Sequence, residues 1–193
     1  MTKPLKSTHF FLTCKGNVIS PHPIWMMRQA GRYLSEYRAI RSQEANFMSF
    51  CFNKESVKKV TLQPIQRFGF DAAIIFSDIL VIPHALGQTV TFETGEGPKL
   101  IDYQHSFLNQ DPSLKLEPVY EAIELTRDTL DSNTSLIGFS ATPWTLLAYM
   151  VAQEKIEDGR CLVEKVKGFK DLDPLMKKLE DAIANHLKSQ IKA

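Results

Sequence analysis

Arg28 and Arg32 stand four residues apart in Pro23-Ile24-Trp25-Met26-Met27-Arg28-Gln29-Ala30-Gly31-Arg32-Tyr33, with Gly31 beside the second. An apolar run, Trp25 to Met27, leads directly into the first. Apolar side chains go inside and arginines stay out unless paired, so the mixture places guanidinium groups at the wall of a hollow. Arginine grips carboxylate or phosphate in a two-pronged way. The same residues also fit the start of a surface helix with ordinary ion pairs. Arg41 and Arg38 follow as further cations, and for Arg38 a solvated ion pair is the simpler reading. Gln29 offers both a donor and an acceptor near the same rim. A second candidate is Asp78, at the end of the apolar run Phe70 to Phe76. A carboxylate there can accept several N–H groups at once, or cap the backbone that follows.

The elements that must hold these groups are legible from periodicity. Val57, Val60, Thr61, Ile65 and Phe68 share one helical face, so a helix is predicted over about 54–68, capped by Asn53 and kinked or broken at Pro64. Phe70–Phe76 reads as a strand buried on both faces. Val90 and Phe92 alternate with polar residues in a strand leading to a Gly95-Glu96-Gly97-Pro98 turn. A helix from Pro118 to about Leu130 and a strand Leu136–Phe139 follow. Trp144 to about Val151 forms a helix with Pro143 in its first turn. In the last helix Asp173-Pro174 serve as cap and first position, and Leu175, Leu179, Ile183, Leu187 and Ile191 form a stripe. Between about 29 and 42 Tyr33, Tyr37 and Ile40 recur at helical spacing; residues 1–22 are an irregular lead-in, and 99–115 have no clear pattern. Helices alternating with buried strands imply parallel crossovers, an α/β class in which loops after the strands carry the site.

Composition excludes several classes. The 193 residues are 44% hydrophobic and 23% charged, with net charge +1. This leaves no basic stripe for nucleic acid or a membrane surface. No apolar run approaches the roughly 20 residues of a membrane span, and no secretory signal is present. Three scattered cysteines, Cys14, Cys51 and Cys161, suggest neither a disulfide framework nor a zinc site, and point to reduced thiols in the cytoplasm. His22 and His84 have no partner at metal-ligand spacing, so no metal is expected.

Three segments, in order, resemble the uroporphyrinogen decarboxylase family. They are Pro23–Arg32, then Asp71-Ala72-Ala73-Ile74-Ile75-Phe76-Ser77-Asp78-Ile79-Leu80, then Gly138-Phe139-Ser140-Ala141-Thr142-Pro143-Trp144-Thr145-Leu146-Leu147-Ala148-Tyr149-Met150. The resemblance runs from Pro23 to Met150. It implies a (β/α)8 TIM barrel, homodimeric at full length, that removes carbon dioxide from the four acetate side chains of uroporphyrinogen without a cofactor. It also implies a tetrapyrrole substrate held by Arg28, Gln29, Arg32 and Arg41. Asp78 would face the pyrrole N–H groups, and Tyr149 would bond Asp78 or a substrate carboxylate. Ser77, Ile74, Tyr37 and Phe76 could line the cleft or simply pack.

A barrel of this type takes about 250 residues, and the last helix keeps its apolar stripe to Ala193. The chain is therefore expected to be one partial barrel domain over 1–193, an incomplete N-terminal part. Alongside the carboxy-lyase stands a second reading, an inactive or split-gene fragment of that enzyme. A third is a related methyltransferase acting on a corrinoid or thiol, which would need a His/Cys cluster. Two departures from the family pattern are Ala141-Thr142 and the stretch Val151-Ala152-Gln153-Glu154-Lys155.

Overall fold

The computed structural model of the protein describes residues 7–92, 97–152, 163–164, 166 and 168–193. Its centre is a pair of parallel strands, β1 (Ala72–Ile74) and the strand Ser135–Ile137, in register Ala72↔Ser135, Ala73↔Leu136 and Ile74↔Ile137. The connection between them supplies the crossover that a parallel pair requires. It holds α5 (Val81–Ala85), the antiparallel strands β2 (Val90–Phe92) and β3 (Pro98–Leu100), a 3-10 turn His105–Asn109, and α6 (Ser113–Thr129). The second parallel strand is β4. The predicted turn after β2 lies outside the described residues except for Gly97 and Pro98.

Four helices precede β1. In α1 (His9–Cys14) the Thr8 hydroxyl accepts the Phe11 N–H at 3.1 Å, so the lead-in is not wholly irregular. Next come α2 (Ser35–Arg41) and α3 (Phe47–Phe52). Tyr33 falls outside α2 and is exposed. A reciprocal Asn46–Ser49 cap starts α3. The next helix, α4 (Lys54–Phe68), has the predicted bounds and is capped by Asn53. It runs unbroken through Pro64, which is buried, and Gly69 ends it at φ +68° in the left-handed form favoured by glycine. Packing of α4 on α6 and on β1 outweighs the one backbone bond that proline removes.

After β4 come α7 (Pro143–Ala152) and α8 (Leu172–Lys192), which packs on α6 and α7. The helix begins one residue before the predicted Asp173 cap, at an N-cap of Asp171. Its predicted stripe does not stay buried: Leu175 and Leu179 are sealed, Leu187 is 39% exposed and Ile191 84% exposed. A four-residue step advances the helix by about 40° beyond a full turn, so the stripe drifts off the core. Ala182 and His186, reached by three-residue steps, take the inward positions instead. The main core lies between α6, α7, α8 and the β1–β4 pair.

Candidate active site

The strand β1 delivers Asp78 through a short loop whose backbone is tied at Ile75, Phe76 and Leu80. The Ile75 N–H donates to Ile137 O at 3.0 Å. The Phe76 N–H donates to the Thr61 hydroxyl at 3.0 Å, and that hydroxyl donates to Val57 O at 2.7 Å, so α4 holds the loop. Asp78 then accepts the Leu80 N–H on Oδ1 at 2.8 Å, which turns the chain into α5. Both sequence readings of Asp78 are thus compatible, because one oxygen caps the turn and the carboxylate has a second. Burial pushes the Asp78 carboxyl above its ordinary range, with the Leu80 N–H opposing.

Helix α3 brings Cys51 within electrostatic range of this carboxylate. Burial, and then the negative charge of Asp78, push the Cys51 thiol far up, while Arg41 pulls the other way. Tyr37 on α2 joins the same group. Its hydroxyl is raised by burial and by Cys51, and lowered by Arg41 and Arg32. Cys51 and Tyr37 thus form a group within electrostatic range of Arg41, with Asp78 acting on Cys51 and Arg32 on Tyr37. Aromatic rings floor it: Phe76 lies 4.6 Å from Phe50 and 5.7 Å from Tyr37, centroid to centroid. Phe47 lies 4.5 Å from Phe92, carrying the floor on to β2. Arg41 is half-buried, with its guanidinium carbon 5.9 Å from the Phe50 centroid and Nη1 donating to Glu44 O at 3.1 Å.

The remaining predicted groups are placed differently. Arg28 and Arg32 are exposed, and Arg38 braces the segment by donating to Arg32 O at 2.6 Å. Gln29 is 2% exposed and its amide bonds β1, not an open rim: Nε2 donates to Ala72 O at 2.7 Å and Oε1 accepts the Ile74 N–H at 3.2 Å. Tyr149 is half-buried on α7 against the main core. Among the described residues no hydrogen bond joins it to Asp78. The Gln88 amide donates to Met150 O at 3.0 Å, fixing the backbone next to Tyr149. His22 is exposed; His84 lies 5.5 Å from the Phe52 ring and burial lowers its pKa. Among the described residues no three His, Cys, Asp or Glu side chains gather to hold a metal. A separate hollow of about 480 Å³, lined by Phe10, Phe11, Ile137, Leu187 and Ile191, contains none of these candidates.

Sequence reasoning missed Cys51 and the Phe47–Phe50 wall because α3 was not read. The signal was present as Asn46 and Ser49, three residues apart before an apolar run.

Fold and site together define an α/β domain in which a half-buried carboxylate follows a parallel strand, and a guanidinium of the preceding helical segment, Arg41, lies within electrostatic range of its neighbour Cys51. A family model described as uroporphyrinogen decarboxylase (URO-D) matches residues 5–193, and the chain belongs to that family. The uroporphyrinogen decarboxylase of Rickettsia bellii is 47% identical over 176 residues, covering 89% of this chain and 52% of that protein. That of Ruegeria pomeroyi is 46% identical over 185 residues, covering 92% and 54%. The chain thus spans about half the length of the curated relatives it matches. A methyltransferase from Methanosarcina mazei shares the fold at TM-score 0.59 and 17% identity, over 91% of this chain and 52% of that one. No helix among the described residues is long and apolar enough to cross a membrane.

Proposed function

We propose that this chain supplies the Asp78 side of a uroporphyrinogen decarboxylase site, in which the four acetate side chains of uroporphyrinogen become methyl groups and coproporphyrinogen results. The observation that carries the reading is the place of Asp78, a carboxylate just beyond the C-terminal end of parallel strand β1, held there by the Leu80 N–H on Oδ1 at 2.8 Å. The substrate is a ring with carboxylates outside and N–H groups inside. Arg28, Arg32 and Arg41 are suited to the carboxylates, each charge-assisted bond contributing roughly 1.5–3 kcal/mol. Asp78 is suited to the N–H groups, since its carboxylate has lone pairs beyond the one taken by Leu80.

The chemistry needs an electron sink. Protonating a pyrrole carbon makes the ring cationic. The bond between methylene and carboxyl carbons then breaks, its electron pair flows into the ring and carbon dioxide leaves. A proton added at the methylene carbon gives the methyl group, and loss of the first proton restores the pyrrole. The net change is one proton consumed for each carbon dioxide released. The buried Asp78 carboxylate stabilises the transient cation, and preorganised help of this kind is worth roughly 3–4 kcal/mol. Tyr149 is assigned to a substrate carboxylate or to Asp78, its hydroxyl reaching either once the ring is bound. No cofactor enters this scheme. The architecture proposed is the first part of a (β/α)8 barrel with its site at the strand C-terminal ends, homodimeric at full length and working in the cytoplasm.

Coverage of half the relatives' length favours one further reading, a partial or split form lacking activity by itself. One assay tests both: uroporphyrinogen turnover by the chain alone, and by the chain mixed with the unmatched half of the Rickettsia bellii relative. Coproporphyrinogen formed only in the mixture supports a split form, and formation by the chain alone refutes it. No product in either, although the relative's full-length enzyme turns over, refutes the decarboxylase reading.

A further inference from the structure

The buried amide of Gln29 occupies β1 as a neighbouring parallel strand would. Its Nε2 donates to Ala72 O and its Oε1 accepts from the Ile74 N–H, a carbonyl and an amide two residues apart. One residue of a parallel strand bonds its partner strand in that pattern. With β4 on the other edge, β1 is held from both sides. The backbone around Gln29 is fastened to the same strand. The Ile24 N–H donates to Asp71 Oδ2 at 2.7 Å, and the Asp71 N–H donates to Ile24 O at 2.9 Å. The Tyr33 hydroxyl donates to Gln29 O, closing the stretch from Gln29 to Tyr33 on itself.

Arg28 is the immediate neighbour of Gln29, and Arg32 lies within the stretch that Tyr33 closes. Asp78 follows β1 after three intervening residues, through a loop held by Ile137 and Thr61. The shortest bonded route from the arginines to the carboxylate therefore passes through one side-chain amide. Two-pronged recognition of carboxylates tolerates errors of only about half an ångström. We infer that Gln29 is a positioning residue whose amide sets the spacing between Arg28, Arg32 and the Asp78 carboxylate, and so the polycarboxylate the site accepts. This rests on the reading that the site takes a carboxylated tetrapyrrole. It gives Gln29 a different task from a direct substrate contact.

The test uses the full chain, uroporphyrin as a stable octacarboxylate probe, and two variants. Gln29→Leu ends one atom short of the amide's oxygen and nitrogen and removes both bonds. It should weaken uroporphyrin binding about tenfold and speed exchange of the Ile74 amide, while Ile75, bonded to Ile137, stays protected. The binding loss should vanish when Arg28 and Arg32 are already alanine, because the amide then has nothing to position. In Gln29→Glu the carboxylate cannot donate to Ala72 O, but the protonated acid can. Binding should therefore recover toward wild type as pH is lowered through the glutamate's titration, a signature that lost packing would not produce. A loss that persists undiminished without the arginines, or unchanged affinity with a deprotected Ile74, overturns the inference. If the wild-type chain does not bind uroporphyrin, the functional reading falls. The spacing claim is then decided by nitroxides at positions 27 and 77: a broadened distance distribution in Gln29→Leu supports it, and an unchanged one refutes it.

Discussion

Gln190 on α8 satisfies both backbone groups of Phe139, accepting its N–H at 3.0 Å and donating to its carbonyl at 2.8 Å. It reaches them across Gly138, where an added Cβ would lie 2.3 Å from the glutamine Oε1. Gly138→Ala therefore cannot coexist with that clasp, and displacing Gln190 forfeits two hydrogen bonds at roughly 0.5–1.5 kcal/mol each. Chemical denaturation should show a loss of about 1–3 kcal/mol. The loss should shrink by more than half in a Gln190→Ala background, where the clash has no partner. Equal loss in both backgrounds would assign the glycine some other role.

Asn53 joins two helices. It follows the last residue of α3, and its Oδ1 accepts the Ser56 N–H at 3.3 Å to start α4. Its Nδ2 donates to Glu44 Oε1 at 2.8 Å. Removing a cap of this kind costs about 1 kcal/mol, up to about 2 kcal/mol. Asn53→Ala should lower the denaturation midpoint accordingly, and Asn53→Asp should recover the Ser56 bond but not the bond to Glu44. No measurable change in Asn53→Ala would mean that α3 alone fixes the start of α4.

What the sequence disclosed follows which interactions are local. The bounds of α4 were readable because Asn53, the apolar period and Gly69 all lie within the helix or beside it. Asp78 was readable because an apolar run ending in a polar pair marks a strand end. Gln29 was recognised as polar and central, but its partners Ala72 and Ile74 lie more than forty residues away. Only the pairing of two distant segments turns a rim amide into part of a sheet edge. Cys51 was read as one scattered thiol for the same reason, since its neighbour Asp78 comes from another element. In α8 the misreading was one of arithmetic, because a strict four-residue repeat does not stay on one face.

His186 predicts an acid-labile contact between α6 and α8. The imidazole is buried, with Nδ1 3.1 Å from the Tyr120 hydroxyl, and burial pulls its pKa down to about 4. The unfolded chain takes up this proton near pH 6.5 and the folded chain only near 4. The stabilisation is therefore complete above about 6.5 and is lost as pH falls from there to about 4, on the order of 3 kcal/mol at most. Denaturation curves between pH 7 and 4 should show this slope, and His186→Leu should flatten it while lowering stability at pH 7 through loss of the Tyr120–His186 bond. A slope that survives the substitution would place the responsible group elsewhere.

Asp78 should show the reverse sign. Burial raises its carboxyl pKa, so the folded protein holds this proton more tightly than the unfolded chain does. Its favourable contribution is complete below the unfolded value near 4 and fades as pH rises through the folded value and the carboxylate ionises. Asp78→Asn removes that charge and can keep the Leu80 N–H on its amide oxygen. The variant should melt higher than wild type at neutral pH, with the gap closing as pH is lowered toward 4. It should also lose most tetrapyrrole turnover wherever the complete site is assembled, while retaining binding through the arginines. Thiol titration offers a second reading, because the negative charge that helps hold the Cys51 thiol protonated would be gone. Cys51 should then alkylate at lower pH than in wild type. A variant that is less stable than wild type at every pH, with unchanged Cys51 reactivity, would show that Asp78 serves as a turn cap and not as a buried charge.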